Sequence, residues 1–247
     1  MFRAAALRWL LLIVAYYAIV AFAELGPLPV VGKLAAWVLK PVFTVGFLAA
    51  AWGQERGGKP EIVDLFRGFR GNLWALLPLG LFLFAGMTLA VAATAAIDGG
   101  ALIAWGSGGE EPSDELLKSG RLQLAMLFGI ACALPTLLAL WFAPALVVFH
   151  DAGALTALST SLRASLANWR PVAIFGLAIM FYGGVVPVLG GAIASLLDVT
   201  VRTVLGLGLL FPYMLVFLAT FQIADYVAYR DVFHADEPAP VGSDQAG

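Results

Sequence analysis

Apolar residues in this chain run in long uncharged stretches, and the polar residues gather in the connections between them. Leu73 to Ile97, Leu122 to Phe149, Pro171 to Leu197 and Thr203 to Ala224 hold no Asp, Glu, Lys or Arg. A hydrocarbon layer about 30 Å thick takes roughly 20 residues of helix at about 1.5 Å each, so each stretch predicts a membrane span. Ala4 to Ala23 is a fifth, with Arg8 near enough to its end to reach the headgroups along its alkyl stem. Pro27 to Trp52 is the weakest, since it holds Lys33 and Lys40 and is interrupted by Pro41. It counts as a span because omitting it would move Glu55, Arg56 and Lys59 to the opposite side and spoil the charge pattern of the connections. The prediction is an all-α polytopic transmembrane bundle of about six spans, near residues 4–23, 27–52, 73–97, 122–149, 171–197 and 203–224, forming a single domain over 1–230. The remaining 231–247 is small, acidic and proline-bearing, and is expected to be a disordered tail.

Two of the connections have helical periodicity of their own. Near 60–72, Ile62, Phe66, Phe69 and Leu73 share one face, opposite Glu61, Asp64, Arg67 and Arg70; near 153–169, Leu155, Leu158, Leu162, Leu166 and Trp169 do the same, opposite Thr156, Ser159, Thr160 and Arg163. Such segments are expected to lie in the membrane interface, with acyl chains on one side and headgroups on the other. This marks membrane lipids as partners and Arg67, Arg70 and Arg163 as candidate headgroup contacts. The two segments align at a separation of 96 residues, pairing Arg67 with Arg163, Asn72 with Asn168 and Gly80 with Gly176. Pro29-Val30-Val31-Gly32 is echoed by Pro187-Val188-Leu189-Gly190. Each returning helix also has a proline followed four residues later by valine: Pro41 and Val45, Pro144 and Val148, Pro212 and Val216. Three repeated hairpins, bent at related prolines, compete here with chance recurrence of residues common in membrane helices. Gly183-Gly184 and Gly190-Gly191 suit close helix approach, within the bundle or between copies, and the oligomeric state stays open.

Charge supplies orientation. The N-terminus, second and fourth connections and C-terminal flank share Arg3, Arg8, Arg56, Lys59, Arg67, Arg70, Arg163, Arg170 and Arg230; the other side has Lys33, Lys118, Arg121 and Arg202. The positive-inside rule makes the first side, with both termini, cytoplasmic. The outward loop from Asp98 to Arg121 carries Glu110, Glu111, Asp114 and Glu115 without the ligand spacing of a calcium loop, and a flexible solvated acidic loop is expected. At the start, Ala21-Phe22-Ala23 raises a cleavable signal peptide as an alternative to a retained first helix, and the length of the apolar block favours retention.

Chemistry is scarce. A net charge of -2 offers no basic field for nucleic acid. The lone Cys132 allows neither an internal disulfide nor a thiolate zinc site, and metalloprotease, nucleophile-elbow and phosphate-loop motifs are missing. The expectation is a protein with no cofactor or metal that is not an enzyme. Ionisable groups inside spans cost about 2.5 to 3.5 kcal/mol near the centre and warrant a functional reading by default. Lys40 and Asp225 are therefore the candidate intramembrane polar residues. Lys40 marks either a polar cavity shared with Thr44, Tyr16 or Tyr17 or a kinked helix whose ammonium snorkels or pairs with Glu24. Asp225 reads as an interfacial anchor or a proton relay, and His150-Asp151 as a helix cap. A lipid-interacting or membrane-organising protein is the first functional expectation, and a small transporter or channel with a site near Lys40 is the second.

The motifs Phe47-Leu-Ala-Ala-Ala-Trp52, Glu55-Arg56-Gly57, Leu65-Phe66-Arg67-Gly68-Phe69-Arg70-Gly71-Asn72, Trp141-Phe-Ala-Pro144-Ala-Leu-Val-Val-Phe-His150-Asp151 and Ser161-Leu-Arg163-Ala-Ser165-Leu-Ala-Asn168-Trp169 resemble those of an uncharacterised family of proteobacterial polytopic inner-membrane proteins. The last element is more distantly similar to membrane domains associated with glycerophosphodiester phosphodiesterases. The resemblance implies a bacterial inner-membrane location and no activity; the soluble phosphodiesterase domain with its acidic metal ligands has no counterpart here.

Overall fold

The computed structural model describes residues 1–109 and 111–234, and of Pro29 only the backbone. Among these residues every regular element is helical. Six helical stretches are long and apolar enough to cross a membrane: Ala6–Leu25, Val30–Glu55, Leu73–Asp98, Arg121–His150, Trp169–Ser195 and Val199–Phe233. The chain is an all-α polytopic bundle, as its hydropathy predicts.

The first span is α1 (Ala6–Leu25) and the second α2 (Pro29–Glu55). A short 3-10 turn, Ile62–Phe66, leads into α3 (Arg67–Arg70), and α4 (Leu73–Asp98) is the third span. Two short helices, α5 (Ala101–Gly106) and α6 (Asp114–Lys118), occupy the connection to α7 (Arg121–Trp141), which continues as α8 (Ala143–His150) to complete the fourth span. The helix α9 (Ala154–Ala167) precedes a fifth span made of α10 (Trp169–Met180), a π-helical turn at Phe181–Val185 and α11 (Val186–Ser195). The sixth comprises α12 (Val199–Leu205), a second π-helical turn at Gly206–Leu210 and α13 (Phe211–Phe233). Consecutive spans pack as three antiparallel hairpins.

The core is concentrated at one end. Trp9, Leu12 and Ile13 of α1, Val42, Phe43, Val45, Phe47, Leu48, Ala50 and Ala51 of α2, Leu76 and Leu79 of α4, Ala143 to Val147 of α8, and Tyr226 and Tyr229 of α13 form one buried cluster. Polar clasps tie the same end together. The Trp9 indole donates to Gln54 Oε1 at 2.8 Å, and Gln54 Nε2 donates to the Met1 carbonyl at 2.8 Å. Tyr226 and Arg230 both donate to the carboxylate of Glu55. Both ends of the described chain therefore meet the end of α2. By contrast α10 and its π-helical turn bury no residue. Lipid tails are as apolar as leucine, so exposed Leu, Ile and Phe on this span carry no penalty in a bilayer.

The two amphipathic connecting segments dock more tightly than their periodicity suggests. The segment near 60–72 is a 3-10 turn plus one turn of α-helix, capped by a reciprocal box between Glu61 and Asp64. Arg67 Nε lies 2.7 Å from Asp64. Leu65 and Gly68 are buried against α2, while Ile62, Phe66 and Phe69 remain partly exposed. A Cβ on Gly68 would lie 2.1 Å from the Val42 carbonyl oxygen, so only glycine permits this approach. In α9 the buried edge is Ala157, Ser161 and Ser165, small residues outside the predicted leucine face; Leu155 and Leu166 are exposed. Ser161 has a specific task. Its hydroxyl accepts from Phe142 N at 3.0 Å and donates to the Leu138 carbonyl at 3.0 Å. It is thus inserted between the two groups that would otherwise form one helical bond, at the break between α7 and α8.

Several expectations need correction. The helix α2 runs unbroken through Pro41, whereas the other two returning spans are interrupted at Phe142, just before Pro144, and by the π-helical turn before Pro212. Pro187 sits inside the fifth span, behind the first π-helical turn, whereas Pro29 of the echoed motif opens α2. The last helix extends to Phe233, so Asp231 belongs to it; residues 235–247 of the expected tail lie outside the described residues. The acidic connection is partly helical, with Ser113 capping α6 and Asp114 and Glu115 in its first turn, where the helix dipole favours them; Glu110 lies outside the described residues.

Of the paired glycines, Gly80 and Gly176 have unlike surroundings. A Cβ on Gly80 would fall 1.8 Å from the Val38 carbonyl oxygen, while one on Gly176 would meet nothing within 4 Å. Gly80→Ala should force α4 off α2 and cost at least about 2 kcal/mol, whereas Gly176→Ala should be neutral or gain up to about 1 kcal/mol from helix propensity. Thermal unfolding of the two variants in one detergent checks the contrast.

Candidate functional site

A cavity of about 680 Å³ lies among the spans, walled by parts of α1, α2, α4, α7, α8, α10 and α13. It is partly open, and its surface is largely aromatic and aliphatic: Tyr16 and Tyr17 from α1, Trp37, Phe43 and Phe47 from α2, Trp141 from α7, and Phe217 and Phe221 from α13. Its ionisable side chains are Lys40, Asp225 and Glu24, with Thr44 and Gln222 beside them.

Proline helps to place these groups. Pro41 follows Lys40 in α2 and Pro144 opens α8, and both line the cavity. A proline has no N–H to offer the carbonyl four residues earlier, so the carbonyls of Trp37 and Leu140, two further wall residues, lose their ordinary helical donors. The Thr44 hydroxyl donates to the Lys40 carbonyl at 3.0 Å, one turn back along α2, and does not replace the donor lost to the Trp37 carbonyl. The Trp141 indole N–H is buried with no hydrogen-bond acceptor among the described residues. Such a group costs about 1 to 3 kcal/mol when left unpaired, and it sits on a wall residue of the cavity.

Lys40 is eleven residues from Pro29 and fifteen from Glu55 in α2, well inside the span. Its ammonium lies in no ion pair within 4.0 Å among the described residues, with Glu24 or with Asp225. Asp225 leaves the company in which its sequence neighbours place it: Tyr226 turns to Glu55, and the Tyr229 hydroxyl lies 2.8 Å from His150 Nε2 and 2.9 Å from His234 Nε2. Asp225 and Gln222, on the adjoining face of α13, line the cavity. At the end of α8, Asp151 takes the left-handed conformation with φ 51° and supplies the cap through its backbone, while the His150 side chain reaches Tyr229.

The structure therefore gathers Lys40, Thr44, Tyr16, Tyr17 and Asp225 around one cavity. Arg67, Arg70 and Arg163 are exposed on the interfacial segments and do not line it. Gln222 and Trp141 are part of the site for reasons invisible in sequence. Trp141 carries one faint signal, its place three residues before Pro144.

A protein of Burkholderia thailandensis named as a probable inner membrane protein is similar to this chain, 29% identical over 216 residues that cover 85% of this chain and 79% of that protein. No family model matches the chain and no solved structure does, so the distant similarity to phosphodiesterase-associated membrane domains gains no support. The similarity covers most of the chain and accords with a polytopic membrane protein.

Accessibility of the cavity can be measured directly. In a Cys132→Ser background, Thr44→Cys should react with a small membrane-permeant thiol reagent at least about tenfold faster than Ala50→Cys, which lies in the packed core. Equal rates, followed by mass spectrometry on folded protein, would mean that the cavity is closed in the membrane.

Proposed function

We propose that the protein is a non-enzymatic inner-membrane protein that binds a small amphipathic molecule within the bilayer and moves it along the membrane-spanning bundle. The cavity carries this reading: opposite charges stand on otherwise aromatic and aliphatic walls, inside a set of membrane spans. Apolar walls with a few placed polar groups suit a ligand that is itself mostly apolar with a polar end. An ion path would call for continuous polar lining instead.

Movement enters through the third hairpin. Both of its spans contain a π-helical turn immediately ahead of a proline, Phe181–Val185 before Pro187 and Gly206–Leu210 before Pro212. Such turns mark places where a helix adjusts. This hairpin also supplies Ile179, Phe217 and Phe221 to the cavity wall, so bending it would reshape the cavity. The exposed Arg67, Arg70 and Arg163 add a second contact with lipid, as basic residues on segments expected to lie at the headgroups. The positive-inside count supports a cytoplasmic location for both termini.

Two measurements test the proposal. Purified protein should bind a fluorescent acyl amphiphile saturably, and Thr44→Trp, which fills the cavity while α2 stays intact, should weaken that binding at least about tenfold. Undiminished binding in a folded Thr44→Trp protein would refute the cavity as the site. Reporter fusions at Glu111 and at Arg163 should report opposite compartments, the second cytoplasmic.

A further inference from the structure

Opposite charges in a low-dielectric cavity attract strongly, so two that share a cavity without meeting are informative. Lys40 on α2 and Asp225 on α13 line the same walls, yet no ion pair within 4.0 Å joins them and neither side chain makes a hydrogen bond among the described residues. Glu24 is the third ionisable group on these walls, so a purely anionic ligand would meet two carboxylates and a purely cationic one would stand beside Lys40, either of which is costly. A ligand carrying both signs on a short spacer satisfies both Lys40 and Asp225.

Resting on the reading above, we propose that the cavity selects a zwitterionic amphiphile, its acidic group held by Lys40 and its ammonium group by Asp225. The donors and acceptors around each charge fit this division. An acidic oxygen takes the Lys40 ammonium. An ammonium has three hydrogens to place; Asp225 takes one, the Gln222 amide oxygen is on the same wall, and the Trp37 carbonyl is released from its helical donor by Pro41. The faces of Tyr16 and Tyr17 add cation–π attraction. The apolar tail has Phe43, Phe217 and Phe221 to lie against.

The shared chemistry, a phosphate or carboxylate and an amine a few atoms apart, belongs to aminophospholipids and equally to small free zwitterions. Native mass spectrometry of the whole chain, given equal amounts of phosphatidylethanolamine and phosphatidylglycerol with identical acyl chains, should show phosphatidylethanolamine favoured by about tenfold, the worth of one charge-assisted contact. Lys40→Gln and Asp225→Asn should each abolish the preference. Lys40→Arg and Asp225→Glu, which keep the charges, should retain most of it and guard against mere misfolding. Lys40→Asp combined with Asp225→Lys should recover part of the preference, because the ligand can reverse. Excess glycerophosphoethanolamine that displaces the lipid assigns recognition to the headgroup alone; failure to displace assigns it to headgroup and chain together. Equal occupancy by the two lipids, both lost in Thr44→Trp, would overturn the zwitterion preference and leave the amphiphile reading standing. Saturable binding of neither lipid would overturn both.

Discussion

Every backbone N–H and C=O within hydrocarbon must find a partner inside the protein, and this requirement governs where the bundle departs from straight helices. Three prolines stand just past a break or a π-helical turn, Pro144 in α8, Pro187 in α11 and Pro212 in α13, while Pro41, Pro78 and Pro135 lie inside continuous helices. Each removes one donor, and the chain answers in more than one way. Near Pro144 the Ser161 hydroxyl enters the break and serves both the Phe142 N–H and the Leu138 carbonyl, with Ser165 also donating to that carbonyl at 3.2 Å. Before Pro187 and Pro212 the helix widens into π-helical turns. At Pro41 the helix continues, with Thr44 back-bonded to Lys40. The connecting helix α9 thereby repairs the backbone of the span beside it.

The same departures locate the cavity. Close packing of six straight helices would leave little room, but Pro41 and Pro144 face a common space together with residues from the third hairpin. At the other extreme, the end of the bundle bearing Trp9, Gln54, Glu55 and Arg230 is packed and clasped. A firm base with a looser region beyond it can change the cavity without unfolding the whole, because the elements that move are those with few buried contacts. The part of the third hairpin from α10 to the second π-helical turn meets that description, burying only Ala194 and carrying glycines in both π-helical turns, whereas α13 is anchored in the base.

How much of this was readable in the chain depends on the length scale of the cause. Span length and hydropathy are local properties, so the six crossings follow from residues alone. Lys40, Thr44, Tyr16 and Tyr17 were visible as a group because they lie on the two helices of one hairpin, where short connection fixes the partner. The arrival of Asp225 at the same cavity needed the packing of α13 against α2, which separates residues far apart in sequence into facing walls and leaves no periodic trace. The docking edge of α9 was hidden for another reason. Serine and alanine score as weakly polar or neutral, so Ala157, Ser161 and Ser165 belong to neither the leucine face nor the polar face that periodicity picks out, although small side chains are what close helix contact in a membrane prefers. The 3-10 turn at Ile62–Phe66 likewise escapes a search for period 3.6.

The repeat gains a physical meaning from these contacts. In the first hairpin Gly68 presses on the backbone of α2 at Val42, one residue beyond Pro41; in the second Ser161 enters the backbone at Phe142, two residues before Pro144. Both interfacial segments are therefore seated beside the proline of the returning helix that precedes them, and each then turns through Asn72 or Asn168 into the next span. The two asparagines mark the turn differently: the Asn72 side chain accepts from Ala75 N, whereas Asn168 Nδ2 donates to the Ala164 carbonyl. Equivalent placement with different bonding is what recurrence under a shared steric constraint would produce, since a proline-disturbed backbone offers a docking position that a glycine can fill by close approach and a serine by hydrogen bonding. The contacts do not follow the 96-residue register, in which Gly68 aligns with Ala164 and Ser161 with Leu65; what the two segments share is a seat beside a proline, and both prolines border the cavity.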